Sequence, residues 1–237
     1  MNTDASSSRR SWWIEAWPDA LAFALGLGLA WWEGWHTTDL VWSLWLSSLC
    51  VGYAIIVVTI FRPVVQVMAA SSKAPALGAA AIDTLMLGGA LFMLAFFTVH
   101  FGGFHFVHSV FLNSFFPIGK TRGFPGWAVY AEVFRRYWPF VLVTAIAERA
   151  AFRAPPKTPS DTAVTPEAIA RRRAQSADSG LMAPYKNVMR MHFLIFFFAF
   201  THFVHLENFA VYAVVYFVYF FPWRLLRREK ASAMRAA

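Results

Sequence analysis

The chain has few charges and almost no sulfur chemistry. Of 237 residues only 14% are charged, against 58% hydrophobic and 18% aromatic. A soluble domain carries roughly 25% charged residues, so this composition points to a lipid environment. Acidic residues are scarcer than basic ones, 13 against 21, for a net charge of +8. The single cysteine, Cys50, excludes an intrachain disulfide and a thiolate metal cluster. It sits in an apolar run, where a thiol behaves as a small hydrophobe. There is no His-Glu-x-x-His, no Cys-x-x-Cys, no carboxylate-rich helix pair and no Gly-x-Ser-x-Gly elbow. Gly102-Gly103 has no following lysine and apolar surroundings, so it is no phosphate loop.

The charge surplus does not indicate nucleic acid. Its basic residues flank apolar runs in short groups, a pattern that orients membrane helices. No basic-aromatic surface motif accompanies them. The expected partner is the lipid bilayer, and the expected location is the inner membrane of a bacterium.

The expected fold is all-α, a polytopic transmembrane helical bundle of about six spans. Residues 1–17 read as a polar N-terminal segment. Its Arg9-Arg10 resembles a twin-arginine export signal, but serves better as a positive-inside anchor, because no small-x-small cleavage site follows. Residues 18–148 hold the first four helices. Trp12, Trp13 and Trp17 on one side, and Trp31, Trp32 and Trp35 on the other, resemble interfacial belts around the first span. A second span covers about Leu40 to Phe61, followed by a basic connection from Arg62 to Lys73.

The third element, Leu77 to Ile118, is almost wholly apolar. A straight helix of that length would be ~60 Å, about twice the hydrocarbon thickness. It reads as one long or kinked helix with Gly102-Gly103 as its weak point. Asp83 near its start suits the interface. The fourth span lies within Trp127 to Ala147, with Arg135-Arg136 interfacial or snorkelling. Residues 149–186 form a basic polar loop, residues 187–225 a fifth and sixth helix, and residues 226–237 a basic tail.

The distribution of lysine and arginine sets the orientation. Six spans with both termini cytoplasmic put Arg9/Arg10, the 62–73 connection, the long loop and the tail inside. Lys120, Arg122, Arg135 and Arg136 then fall outside, against the rule. Seven spans cure that but export Arg171-Arg172-Arg173.

Polar chemistry concentrates in histidines. Thr98 to Asn113 places His100, His105 and His108 within an apolar run, and His202-Phe-Val-His205-Leu-Glu207 answers it. An imidazole in hydrocarbon is costly, and it usually faces a bundle interior, a partner or a cofactor. His105 and His108 share a helix face, as do His202 and His205. Brought together, the two pairs would offer four imidazoles to a transition metal such as iron, copper or zinc. Glu207 and His36 are candidate additional partners. His100 lies roughly 12 Å along the axis from His108, so it would serve a second site or a haem. Packing and hydrogen bonding to carbonyls or headgroups explain the same histidines without a ligand. Two functions therefore compete: a histidine-lined intramembrane site binding a metal or haem for redox chemistry or metal handling, and a non-catalytic subunit of a larger membrane assembly. A carrier is disfavoured, since neither inverted repeats nor paired broken helices are visible.

Two stretches resemble an uncharacterised family of bacterial multi-pass membrane proteins, a domain of unknown function. The first runs His100-Phe101-Gly102-Gly103-Phe104-His105-Phe106-Val107-His108-Ser109-Val110-Phe111; the second is Met182-Ala183-Pro184-Tyr185 followed by His192. The resemblance covers roughly half the chain. It implies that His100, His108 and His192 are shared positions, with His100 and His192 as cofactor-binding candidates. His105, His202 and His205 would belong to this chain or its subgroup. The chain departs from the pattern at Trp45-Leu46-Ser47-Ser48, where the family resembles Trp-x-Glu-Asn. The resemblance supports the membrane fold and supplies no reaction. In the six-span topology His192 starts its span on the inner side while His108 lies outward. Either the third element folds back, or His192 is unrelated to the His105/His108 pair.

Overall fold

The structure, a computed structural model, describes residues 4–73, 78–120, 122–152, 189, 192–194, 196–201, 203–204 and 213–217. Within these stretches side chains are described from Trp17 onward, except at residues 70, 73 and 79. The described residues form helices and connecting turns, with no strand among them. Four long helices come first: α1 (Asp4–Trp32), α2 (Thr37–Lys73), α3 (Ala79–Phe115) and α4 (Trp127–Ala147). A 3-10 turn, Arg149–Phe152, follows α4. Among the described residues, two helices are long and apolar enough to cross a membrane, over Thr37–Ala69 and Ala80–Phe115.

These two helices pack antiparallel along their length. Ile56, Ile60 and Val64 of α2 meet Ala90, Phe97 and Phe101 of α3 in one buried cluster. Their far ends are joined by Ser71 Oγ donating to Asp83 Oδ1 at 3.1 Å. The Asp83 carboxylate therefore has a partner near the start of α3. α4 lies against the other side of α2 and also against α1. Its buried residues Val129, Val133, Tyr137 and Phe140 follow the helical repeat and form one stripe. Arg149, just beyond α4, forms an ion pair with Asp19 of α1. Arg62 Nη2 donates to the Phe152 carbonyl at 2.6 Å and ties α2 to the same corner.

The structure departs from expectation in α2 and chooses between two expected forms in α3, long or kinked. Residues 62–73 are the last turns of α2 rather than a connection. Val64, 3% exposed, is buried against α3, so tertiary packing keeps the helix going past Pro63. α3 runs unbroken through Gly102-Gly103 for 37 residues, about 55 Å of helix. The adjoining Phe101 is fully buried against the backbone of Gly52 in α2, and this contact holds the helix across its weakest turn.

The opposite face of α3 is apolar and open. Leu85, Phe92, Val99 and Phe106 recur every seven residues and are 77%, 70%, 77% and 48% exposed. Water does not stabilise a helix that is apolar on every side; lipid or a helical partner does. The fourth helix ends as expected, at Trp127 and Ala147. Residues 153–186 of the expected basic loop, most of the stretch expected to hold a fifth and sixth helix, and the tail lie outside the described residues.

Candidate functional site

Where α2 crosses α3, the interior turns polar. Trp42 and Trp45 lie one turn apart on α2 and reach towards α3. Trp42 Nε1 donates to the Phe116 carbonyl at 2.8 Å, beyond the last turn of α3, where helix carbonyls lack intrahelical partners. Trp45 Nε1 donates to the His105 carbonyl at 2.9 Å. Ser48 follows one turn later, and its hydroxyl faces His105 Nε2 at 3.2 Å. His105 Nδ1 lies 2.9 Å from the Phe101 carbonyl. A carbonyl only accepts, so Nδ1 carries the proton and Nε2 accepts from Ser48. The ring, 1% exposed, is thus held in one tautomer.

His108 is the next residue on the same buried side. Its ring lies 6.2 Å from that of His105, edge to face. Its Nε2 stands 2.9 Å from His192 Nε2. The ring centres are only 4.1 Å apart with planes at 78°. A head-on N–H···N bond of this length would separate the centres by roughly 5 Å, so the two nitrogens are turned off their common line. His108 Nδ1 is buried and has no hydrogen-bond partner among the described residues. Such an atom costs ~1–3 kcal/mol in desolvation. The hydroxyl of Ser47 is in the same condition.

α4 closes the third side. Tyr130 OH meets Ser109 Oγ at 2.8 Å, and its ring stacks on Trp45 at 5.9 Å. Ser109 also donates to the Phe106 carbonyl at 2.7 Å. The site is therefore walled by α2, α3, α4 and the segment beginning at His192, with neutral polar groups inside an apolar bundle.

Of the predicted residues, His105, His108 and His192 come together. α3 does not fold back, and His192 is a direct neighbour of His108. His108 is also not at the end of its helix. α3 continues two turns beyond it to Phe115, which sets His108 ~10 Å into the bundle. His100 stands apart. It is exposed on α3, flat on Phe96 at 5.4 Å and edge-on to Phe104 at 5.1 Å. His36 is also exposed, and its backbone N–H donates to Asp39 Oδ2 at 2.9 Å. His202, His205 and Glu207 lie outside the described residues. Among the described residues no group of three or more His, Cys, Asp or Glu side chains converges on a metal position.

Ser48, Ser109 and Tyr130 escaped the sequence reading. The signal for Ser48 was present, because Trp42, Trp45 and Ser48 are spaced by three on one helix face. Ser109 and Tyr130 carried none, since only packing of α4 joins them.

Arg135 and Arg136 of α4 both have acidic partners. Arg135 makes two hydrogen bonds to Glu132, at 3.0 and 2.7 Å. Arg136 is paired with Asp39 at 3.3 Å.

Fold and site together define an all-helical protein with two membrane-length apolar helices and buried histidines at their crossing. The chain belongs to the family of unknown function DUF6498, which matches residues 5–154. That match includes the His100–Phe111 stretch and ends before His192. No curated protein matches the chain, and no solved structure does.

Proposed function

We propose that this is a multi-pass inner-membrane protein of about six spans, both termini cytoplasmic, in which His108 and His192 bind a transition-metal ion. The open apolar face of α3 supports the membrane setting. Of the four cations at the proposed outer end, Arg135 is paired with Glu132 and Arg136 with Asp39. The basic groups Arg62 and Arg149 belong to the opposite half of the bundle, in keeping with a cytoplasmic side there.

The observation that carries the metal reading is the approach of the two Nε2 atoms to 2.9 Å with both turned off their common line. Two nitrogens bound at ~2.0 Å to one ion at the roughly 90° of square-planar or octahedral coordination stand about 2.9 Å apart, with ring centres near 4.5 Å. A haem iron held between two imidazoles needs them about 4 Å apart on opposite faces of the macrocycle. The pair therefore favours an ion over haem, and His100 has no share in it. The ion would serve metal handling or redox chemistry, with Ser48 and Trp45 holding His105 beside it.

Metal content of the detergent-purified full chain tests this. We expect near-stoichiometric metal, lost in His108→Ala and in His192→Ala and kept in His100→Ala. A protein that stays empty after metal addition sinks the proposal.

A second reading, an accessory subunit in a larger membrane complex, is favoured by one feature. On the open face of α3, Ala81, Gly88, Ala95 and Gly102 also recur every seven residues, and no atom lies within 4 Å of a Cβ built at Gly88 or Gly102. Small residues at regular spacing are typical of helix contacts in membranes. Crosslinking through Ala95→Cys in a Cys50→Ser background, followed by identification of the crosslinked species, checks it. Absence of any crosslinked protein argues against this reading.

A further inference from the structure

We infer that the loop between α3 and α4 binds an anionic phospholipid, with Lys120 and Arg122 on its phosphate and Phe124 and Trp127 against its acyl chains. This rests on the membrane setting proposed above and makes no use of the histidine pair. The loop is built to fold back. Gly119 and Gly123 have φ of 87° and 83°, left-handed values that favour glycine. Asn113, fully buried in α3, donates through Nδ2 to the Gly123 carbonyl at 3.2 Å. The chain therefore returns along the last turns of α3 before α4 begins. Phe124 follows, and its ring lies 6.3 Å from that of Phe106, more than two turns before the α3 end. Phe124 is nevertheless 78% exposed and Trp127 88%, beside Phe106 at 48%. Rings this open at the flank of an apolar helix meet acyl chains and the interface rather than water.

Lys120 and Arg122 belong to the same loop, between Gly119 and Gly123, and both are exposed. Neither forms an ion pair among the described residues. The described carboxylates at this end of the bundle are Glu33, Asp39 and Glu132. Asp39 holds Tyr137 and Arg136, Glu132 holds Arg135, and no ion pair joins Glu33 to the loop. The loop thus presents two uncompensated cations next to apolar rings. A phospholipid with a net negative headgroup matches both halves in one molecule, its charge meeting the cations and its chains the rings. A soluble anion satisfies only the first half, and a zwitterionic headgroup brings its own cation to the same phosphate. Each Lys or Arg at a membrane surface gives roughly a five-fold preference for anionic lipid, so the pair gives about 25-fold at low ionic strength.

The test uses the full chain in phosphatidylcholine vesicles that carry a minor fraction of dibrominated lipid, either phosphatidylglycerol or phosphatidylcholine. Bromine quenches tryptophan on contact, and the signal lost in Trp127→Phe is the part due to Trp127. Brominated phosphatidylglycerol should quench that part with an apparent affinity at least ~10-fold above that of brominated phosphatidylcholine. The double variant Lys120→Ser/Arg122→Ser should bring the two lipids to within ~2-fold of each other. Arg135→Gln removes a charge at the same end but outside the loop, and should leave the preference intact. In the unaltered protein ~0.5 M salt should remove most of the preference, a reading that needs no variant. Equal quenching by the two lipids overturns the proposal, as does a preference that persists in the double variant or falls equally in Arg135→Gln. A preference abolished by inorganic phosphate at constant ionic strength makes the ligand a soluble anion and also overturns it. Carbonate extraction scores the membrane setting separately. A chain released from the vesicles defeats that reading, whereas an embedded chain without lipid preference defeats only this one.

Discussion

Replacing Asp39 with alanine should cost about 3 kcal/mol of stability, although the residue sits at the very start of α2. Three interactions meet on this one carboxylate, which is only 5% exposed. Oδ1 accepts from the Tyr137 hydroxyl at 2.7 Å, and Tyr137 is fully buried. A hydrogen bond to a charged acceptor contributes ~1.5–3 kcal/mol, and truncating Asp39 leaves the phenol unpaired in the core. Oδ2 accepts the backbone N–H of His36, the reach-back half of a capping box, for roughly 1 kcal/mol. The Arg136 contact at 3.3 Å adds little, because the arginine side chain is half exposed and solvent screens the pair. Tyr137→Phe should cost about 2 kcal/mol on its own. The double variant should fall short of additivity by ~1.5 kcal/mol, since both changes remove the same bond. Reversible unfolding in mixed micelles, read by tryptophan fluorescence, measures all four proteins. A loss below ~1 kcal/mol for Asp39→Ala, or strict additivity with Tyr137→Phe, would refute the claim that this carboxylate clamps α4 onto α2.

Other perturbations separate the remaining contacts. Gly52→Ala places a Cβ 2.7 Å from Phe101 Cζ, so the variant should lose ~1–2 kcal/mol in thermal denaturation despite alanine's better helix propensity, and Phe101→Leu in the same background should recover part of it. Trp45→Phe removes the bond to the His105 carbonyl and should cost about 1 kcal/mol by the same unfolding assay; a neutral result would show that this bond contributes nothing. In a Cys50→Ser background, Glu33→Cys should react with a membrane-impermeant thiol reagent added to intact cells, and Ser72→Cys should react only after lysis. The reverse labelling would invert the proposed orientation.

The sequence alone determined the helical class, the two membrane-length runs and the bounds of α4. Lipid demands long, self-satisfied apolar helices, and such helices are written in composition and run length. It also placed the polar chemistry in the histidines around residue 100, because imidazoles stand out in an apolar run. It did not determine where α2 ends, since burial of Val64 against α3 outweighs the polar composition of residues 62–73. It favoured one long or kinked α3 but left straight and kinked forms open, because the contact that steadies Gly102-Gly103 comes from Gly52 on another helix.

The histidine partnerships were the least legible part. Spacing makes His105 and His108 neighbours. Only packing sends one to Ser48 and the other to His192, some 84 residues away in sequence. The same is true of Arg136 and Asp39, which look like two stray charges until α4 is laid against α2. Periodicity along one helix records which residues share a face. The partner that face meets depends on how separate helices dock, and that information exists only in the tertiary structure.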